Sequence, residues 1–374
     1  PFPSRQLRYV NFLTHFGTVT RRMHNKAFIV DNQAAVVGGR NIGDEYFEAS
    51  DGTNFGDMDL LAIGPIVRDV SDAFDRYWNS DLAYPITTLG AAGDPSLLER
   101  ARPVLREETA ALADTAYGER LRESDLADAL AKGQAELHWS EAELLVDLPE
   151  KVQTDPDDRS THLGPELDAL LRSTQEQLIA ISPYFVPGKQ GARQLRELAE
   201  RGVEVIVITN SLASTDVPAV HAGYVRYRRE LLKAGVRLYE MRPSMAREQD
   251  DDRRFGSSQS SLHAKTFAID GRLVLVGSMN MDPRSDVLNT EMGIVIESPE
   301  LAARLQGWMR TDLPRQAWRV TLAGLERTPR DAGGAMQWIA RDAGTEVVEG
   351  RREPRASLAR RLVVSLLRWL TTRR

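Results

Sequence analysis

Two stretches of this 374-residue chain carry the same polar residues at the same spacing: HNKAFIVDNQAAVVGGRN over residues 24–41 and HAKTFAIDGRLVLVGSMN over residues 263–280. In each, Lys lies two residues after His, Asp seven, a Gly-Gly or Gly-Ser pair fourteen and fifteen, and Asn seventeen. Brought together, His24, Lys26, Asn41, His263, Lys265 and Asn280 would make a cationic, donor-rich pocket suited to an anion such as phosphate. One imidazole could attack phosphorus while the other protonates the leaving alcohol and later deprotonates the acceptor. The ammonium and amide groups would stabilise the non-bridging oxygens as charge builds. No cofactor or metal is expected. Zinc would want three or four ligands without ammonium groups beside them, and neither an HExxH run nor a carboxylate-rich loop is present.

The match extends further. Glu291 in TEMGIVIESP aligns with Asp57 in GDMDLLAIGP, and each carboxylate is placed to accept a hydrogen bond from an imidazole and fix its tautomer. The first copy carries about five extra residues near 49–53, as a surface loop tolerates cheaply. Asp31 and Asp270 each begin a turn, which gives them a mainly structural role. Ser278 has Gly39 as its counterpart, so the two halves differ chemically. Singly, each His or Lys would fit an ordinary structural role; repetition in register is what argues for chemistry.

Around each motif the pattern reads strand, tight turn, strand, with turns at Asp31-Asn32 and Asp270-Gly271. Alternation along a strand would put His24 and Lys26 on one face, and His263 and Lys265 on another. Ahead of the second copy, helices near 167–174, 192–201 and 220–234 alternate with strands near 178–182, 203–209 and 236–239. Gly202 and Gly235 stand where helices end. That order predicts βαβ units and a mostly parallel sheet covered on both sides. Only 23 residues precede His24, against roughly 100 from Thr161 to His263, so the first lobe is expected to lack about 80 residues and the chain to begin inside a domain. The expected divisions are 1–95 for part of a first lobe, 96–157 for a helical connector, 158–345 for a second lobe and 350–374 for a basic amphipathic tail.

Cysteine is absent, which excludes disulfides and Cys-based metal sites. Residues 351–374 hold eight Arg against one Glu, a charge of +7 that leaves −13 on the other 350 residues of a chain whose net charge is −6. An acidic body is ill suited to nucleic acid, and none is expected as a partner. Leu358, Leu362, Leu366 and Leu370 recur every four residues, and with Trp369 and the arginines they describe a helix for an anionic membrane surface or for packing on a body. It is too short and interrupted to span a bilayer.

HxKxxxxD followed by G(G/S)xN, present twice, resembles the phospholipase D superfamily over nearly the whole chain. Within it, RRMHNKAFIVDNQAAVVGGRNIGDEYF, MDLLAIGP, ISPYFVPG, HAGYVRYRRELLKAGVRLYE and NTEMG look like bacterial cardiolipin synthases, especially the C-type branch. The resemblance implies an α/β fold of two lobes related by a pseudo-twofold, with mixed or parallel sheets flanked by helices, the first lobe incomplete and the active site at the lobe interface. It implies metal-independent phosphatidyl transfer from a phospholipid donor to phosphatidylglycerol through a phosphohistidine. His24, Lys26, Asn41, His263, Lys265 and Asn280 carry over as the catalytic set, with His24 favoured as nucleophile and His263 as acid and base. His221 and Tyr224 are candidates to line the substrate pocket or to serve the core. Phospholipid substrates and a peripheral place on the bacterial inner membrane, on its cytoplasmic side, go with this reading. The alternatives are a phospholipase D or nuclease-like phosphodiesterase using water, and an inactive membrane-binding fragment.

Overall fold

Both copies of the repeat fold into the hairpins that their turn residues demand. Asp31 and Asn32 take positive φ (50° and 54°), as do Asp270 and Gly271 (53° and 61°), the left-handed backbone of tight hairpin turns. The structure is a computed structural model, and it describes residues 21–47, 54–89, 94–243, 260–324, 334–342, 344–350 and 352–372. The extra loop at 49–53 and everything before residue 21 lie outside the described residues.

In chain order, the first copy supplies β1 (Ala27–Val30), β2 (Ala34–Gly38), β3 (Asn54–Gly56), β4 (Asp59–Ile63) and helix α1 (Ile66–Trp78). Then come short α2 (Ile86–Leu89), α3 (Pro95–Ala113), α4 (Ala116–Arg122) and α5 (Asp125–Ala131). The second half runs β5 (Ala142–Val146), α6 (Gly164–Arg172), β6 (Gln177–Ile181), α7 (Gly188–Glu200), β7 (Glu204–Asn210), α8 (Pro218–Lys233), β8 (Arg237–Met241), β9 (Ser260–Leu262), β10 (Thr266–Ile269) and β11 (Leu273–Gly277). It continues through α9 (Pro283–Val287), β12 (Met292–Glu297), α10 (Pro299–Thr311), α11 (Leu313–Gln316), β13 (Ala317–Leu322), β14 (Met336–Asp342), β15 (Thr345–Gly350) and α12 (Leu358–Thr372).

Residues 1–74 together with 141–374 form one compact unit, and 75–140 form another. The shorter unit is helical. Asp94, Thr115 and Ser124 cap α3, α4 and α5 by accepting the amide protons of Ser96, Gly118 and Ala127. Many of its leucines, among them Leu98, Leu105 and Leu112, are exposed.

The larger unit is built on a ten-stranded sheet in the order β15-β14-β13-β8-β7-β6-β10-β11-β12-β5. The α/β class expected from the sequence is found, but the sheet is mixed rather than mostly parallel. Only β6, β7 and β8 are parallel neighbours, because only they are joined by helical crossovers, α7 and α8. Hairpins and long returns make the remaining pairings antiparallel. Residues 142–146, read from sequence as part of a helical connector, form edge strand β5 against β12. Gly202 and Gly235 follow α7 and α8 with φ of 91° and 96°, the left-handed C-terminal stop.

Strands β6 and β7 are apolar over Leu178–Ile181 and Val205–Ile208 because both their faces are covered there. Leu178, Ala180, Val205 and Val207 pack under α6, α7 and α8, while Ile179, Ile181, Ile206 and Ile208 pack under α10 and α11. The first copy adds a three-stranded sheet, β1-β2-β4. Its Ala35 and Val37, with Ile66, Val67 and Val70 of α1, bury against Met292, Ile294 and Ile296 of β12. That apolar seam joins the two copies.

Candidate active site at the seam between the copies

Two parallel contacts set the repeated histidines beside the carboxylates of the opposite copy. Strand β3 pairs with β9, Gly56 opposite Leu262, and Met23 bridges Thr290 in the same sense. Each contact is sealed at the next residue, where His263 N–H donates to the Gly56 carbonyl at 2.7 Å and His24 N–H to the Thr290 carbonyl at 2.9 Å. In parallel chains the following residues also lie abreast, so Asp57 meets His263 and Glu291 meets His24. His263 Nδ1 donates to Asp57 Oδ2 at 2.6 Å, and His24 Nδ1 to Glu291 Oε2 at 2.8 Å. Each histidine is therefore oriented by the carboxylate of the other copy. Because a carboxylate only accepts, the Nδ1 proton is assigned and Nε2 is left as the free lone pair.

The histidines and lysines do not sit on the strands, as alternation suggested. They occupy the extended segment before β1 and before β10, where the chain passes from its contact with the other copy into its own hairpin. Lys26 folds back to donate to the His24 carbonyl at 2.7 Å, and Lys265 donates to that of His263. Lys265 Nζ also stands 2.9 Å from His263 Nδ1. Since Asp57 holds the Nδ1 proton more closely, that approach is an electrostatic contact rather than a second hydrogen bond.

Burial and neighbouring charge shift these groups in one direction. Desolvation, reinforced by Lys26, carries Lys265 down to about 7, and desolvation together with Arg22 takes Lys26 to about 8. Desolvation and the charge of Lys265 bring His263 to about 4 against the pull of Asp57, and burial lowers His24 against the pull of Glu291. Each imidazole is also lowered by the ammonium groups of both copies, Lys26 and Lys265. For Asp57, burial is outweighed by the His263 hydrogen bond and the Lys265 charge, and its carboxyl stays below the usual range.

A stability consequence follows. Folded His263 titrates near 4 and an unfolded histidine near 6.5, so between these values the unfolded chain binds the extra proton. Stability therefore falls as pH drops from about 6.5 to about 4, by up to about 3 kcal/mol from this residue. Melting temperatures measured across that window should fall steeply for the parent and less steeply for His263→Gln.

The remaining motif residues surround these pairs. Asn41 donates to Tyr46 Oη at 2.7 Å, and the Tyr46 and Phe55 rings flank His263 at 5.0 and 5.2 Å between centroids. Asn280 is buried, its N–H donating to Ser285 Oγ at 3.3 Å and its Oδ1 without a partner among the described residues. Ser278 Oγ donates to Glu291 Oε2 at 2.5 Å. Its counterpart is glycine for a steric reason: a Cβ on Gly39 would lie 2.5 and 2.7 Å from the two Asp57 carboxylate oxygens. Gly39→Ala should displace that carboxylate, costing about 1–3 kcal/mol of stability and at least tenfold in kcat through the loosened His263. Thermal melts and initial rates check both.

Asp270 acts away from the pocket, accepting the N–H groups of Glu176 and Gln177 at 2.8 and 3.0 Å. Asp31 is exposed in its turn. His221 and Tyr224 do not line the pocket. Both are buried on α8, where His221 Nε2 accepts from Arg228 at 3.0 Å and the Arg228 guanidinium lies over the Tyr224 ring. Arg228 also pairs with Glu240 and Glu353, so a guanidinium fills the one place among the described residues where His and carboxylates gather as for a metal.

Sequence reasoning missed Tyr46, Phe55 and Asn25. Asn25 Oδ1 accepts from Thr290 Oγ1 at 2.6 Å and so ties the two copies together beside His24. None of the three has a like residue at the matching place of the second copy, and a comparison of repeats is blind to them.

A family model described as "Cardiolipin synthase, PLD-like domain" matches residues 167–313. The chain is 40% identical over 370 residues to cardiolipin synthase C of Escherichia coli, covering 98% of this chain and 76% of that protein. It is 32% identical to an uncharacterized protein of Helicobacter pylori, covering 85% of this chain and 62% of that one. The crystal structure of a phosphatidylserine synthase from Haemophilus influenzae shares the fold with a TM-score of 0.54 at 17% identity, over 81% of this chain and 64% of that one. With its two crossed histidine–carboxylate pairs, the chain belongs to the phospholipase D superfamily, in its cardiolipin synthase-like branch.

Proposed function

We propose that the protein is a phosphatidyltransferase that makes cardiolipin, moving a phosphatidyl group from a phospholipid donor to phosphatidylglycerol through a phosphohistidine. The observation that supports it best is the crossing of the two pairs: each imidazole has its Nδ1 tied to a carboxylate of the other copy, which leaves Nε2 for chemistry, and each feels the charge of both lysines, Lys265 buried and Lys26 half-buried. His24 Nε2 forms the N–P bond as the P–O bond to the head group breaks, and His263 gives its proton to the departing alkoxide. The acceptor hydroxyl then returns a proton to His263, its oxygen attacks phosphorus, and the N–P bond breaks. A diester is consumed and a diester is formed, with a phosphoramidate monoester on His24 between them. Both imidazoles are held towards the neutral form while the pocket is empty; a bound diester anion offsets the lysines and raises His263 enough to act as an acid. Lys26, Lys265 and the Asn280 amide hold the non-bridging oxygens.

Purified protein supplied with phosphatidylglycerol and phosphatidylethanolamine vesicles should yield cardiolipin. Phosphatidic acid as sole lipid product, or cleavage of added DNA, would overturn the assignment.

The protein is further proposed to sit on the membrane surface. Among the described residues no helix is long and apolar enough to cross a membrane. Helix α12 shows how a surface could be met, in an orientation opposite to a basic face on anionic lipid. Arg360 donates to the carbonyls of Leu212, Ala213 and Thr215, Arg361 to that of Glu353, and Val364 is buried against the body. Leu358, Leu362 and Leu366 are left facing outward; the side chains of Trp369 and Leu370 lie outside the described residues. Leu362→Glu with Leu366→Glu should weaken vesicle binding roughly 100-fold or more, from the lost burial of two leucines. In a sedimentation assay added salt should matter little.

A further inference from the structure

Under the pocket lies a buried pair of opposite charges that the chemistry above leaves unused. Asp147 follows β5, Lys151 comes one turn later in Pro149–Val152, and they are 0% and 1% exposed. Lys151 Nζ donates to Asp147 Oδ2 at 2.8 Å and to the Ser285 carbonyl at 3.0 Å. Asp147 Oδ2 also accepts the Glu291 N–H at 2.7 Å, Oδ1 accepts that of Leu163 at 2.7 Å, and Asp147 N–H donates to the Glu291 carbonyl at 3.0 Å. Ser285 Oγ in turn accepts the Asn280 N–H.

Burying two charges is a poor way to stabilise a fold, since an apolar pair of equal volume often does as well or better. Placement is the reason to have one here. Asp147 grips both backbone polar groups of the residue that orients His24, and Lys151 holds Ser285 of α9, whose hydroxyl accepts the Asn280 N–H. Among the described residues no corresponding ion pair touches Asp57 in the other half.

We propose that Asp147 and Lys151 are positioning residues for the His24 half of the reaction centre: they fix the backbone of Glu291 and, through Ser285, that of Asn280, so that His24 Nε2 and the Asn280 amide meet the phosphorus together. The pair is a strut rather than a reactant. It touches no substrate, and its effect passes through two side chains that do. The kinetic consequence rests on the phosphatidyl-transfer reading, whereas the effect on His24 does not.

The test compares Asp147→Asn, and Asp147→Asn combined with Lys151→Met, with the parent. The double variant removes both charges at nearly constant volume, and so avoids the unpaired buried carboxylate that could unfold Lys151→Met alone. Melting curves report the fold. Each variant should keep the parental KM while kcat falls about 100-fold, the scale of a 1 Å misplacement. In NMR titrations of the imidazoles, His24 should shift its midpoint while His263, held by Asp57, keeps its own. That selective shift separates positioning from general loosening, and it can be read even on a protein with no measurable transferase activity. Folded variants with parental kcat and an unmoved His24, or with His24 and His263 shifting together, would overturn the proposal.

Discussion

His24→Asn should lower phosphatidyl transfer by about 10⁴-fold or more, the scale seen when a nucleophile is removed, and His263→Asn should do the same with phospholipid as donor. The two variants part company when the leaving group is changed. A nitrophenyl phosphodiester releases a phenolate that needs no proton, so a protein lacking only the acid should recover much of its first step, while one lacking the nucleophile should not. Release of nitrophenolate by His263→Asn but not by His24→Asn is the expected pattern, and the reverse would exchange their roles. Asparagine suits the test because both sites are tightly enclosed and it is smaller than imidazole, so melting curves should show the folds retained.

The second large effect is expected at Glu291→Gln. A carboxylate at 2.8 Å from His24 Nδ1 fixes the proton there and leaves Nε2 bare. Ser278 Oγ already donates to the acid, so a glutamine in its place would keep its carbonyl towards Ser278 and turn its NH₂ towards His24. That forces the proton onto Nε2, where the lone pair is needed, and kcat should fall about 10³- to 10⁴-fold, as when a triad carboxylate becomes an amide. Groups that act as a unit lose activity together, so His24→Asn with Glu291→Gln should be no slower than His24→Asn alone. Additive losses would show that Glu291 does something besides orient His24.

Much of this centre could be read from the chain because duplication supplied an internal comparison. The equal offsets in the two copies singled out His, Lys and Asn, and the shared acidic position singled out Asp57 and Glu291, while Asp-Gly and Asp-Asn marked both hairpins. The crossing was hidden, because it depends on Gly56 lying beside Leu262 and Met23 beside Thr290, and single parallel contacts between distant segments carry no local periodicity. Strand β5 escaped for a related reason: AELLV has no turn signal before it and is a strand only because β12 offers an edge. Asp147 and Lys151 read as ordinary surface charges, since nothing in LVDLPEKV announces that both will be sealed from water. His221 and Tyr224 stood near a recognisable run but belong to the packing of α8 around Arg228.

The fit between residue 39 and Asp57, and between Ser278 and Glu291, bears on how such a molecule can evolve. Each copy matches the length of its acid to its own backing residue, yet lends that acid to the histidine of its twin. The halves of a recombinant made from two relatives would each arrive internally consistent and still present a foreign carboxylate to every imidazole. Selection acts here on the couple rather than on the repeat, and neither half can be replaced by a second copy of the other.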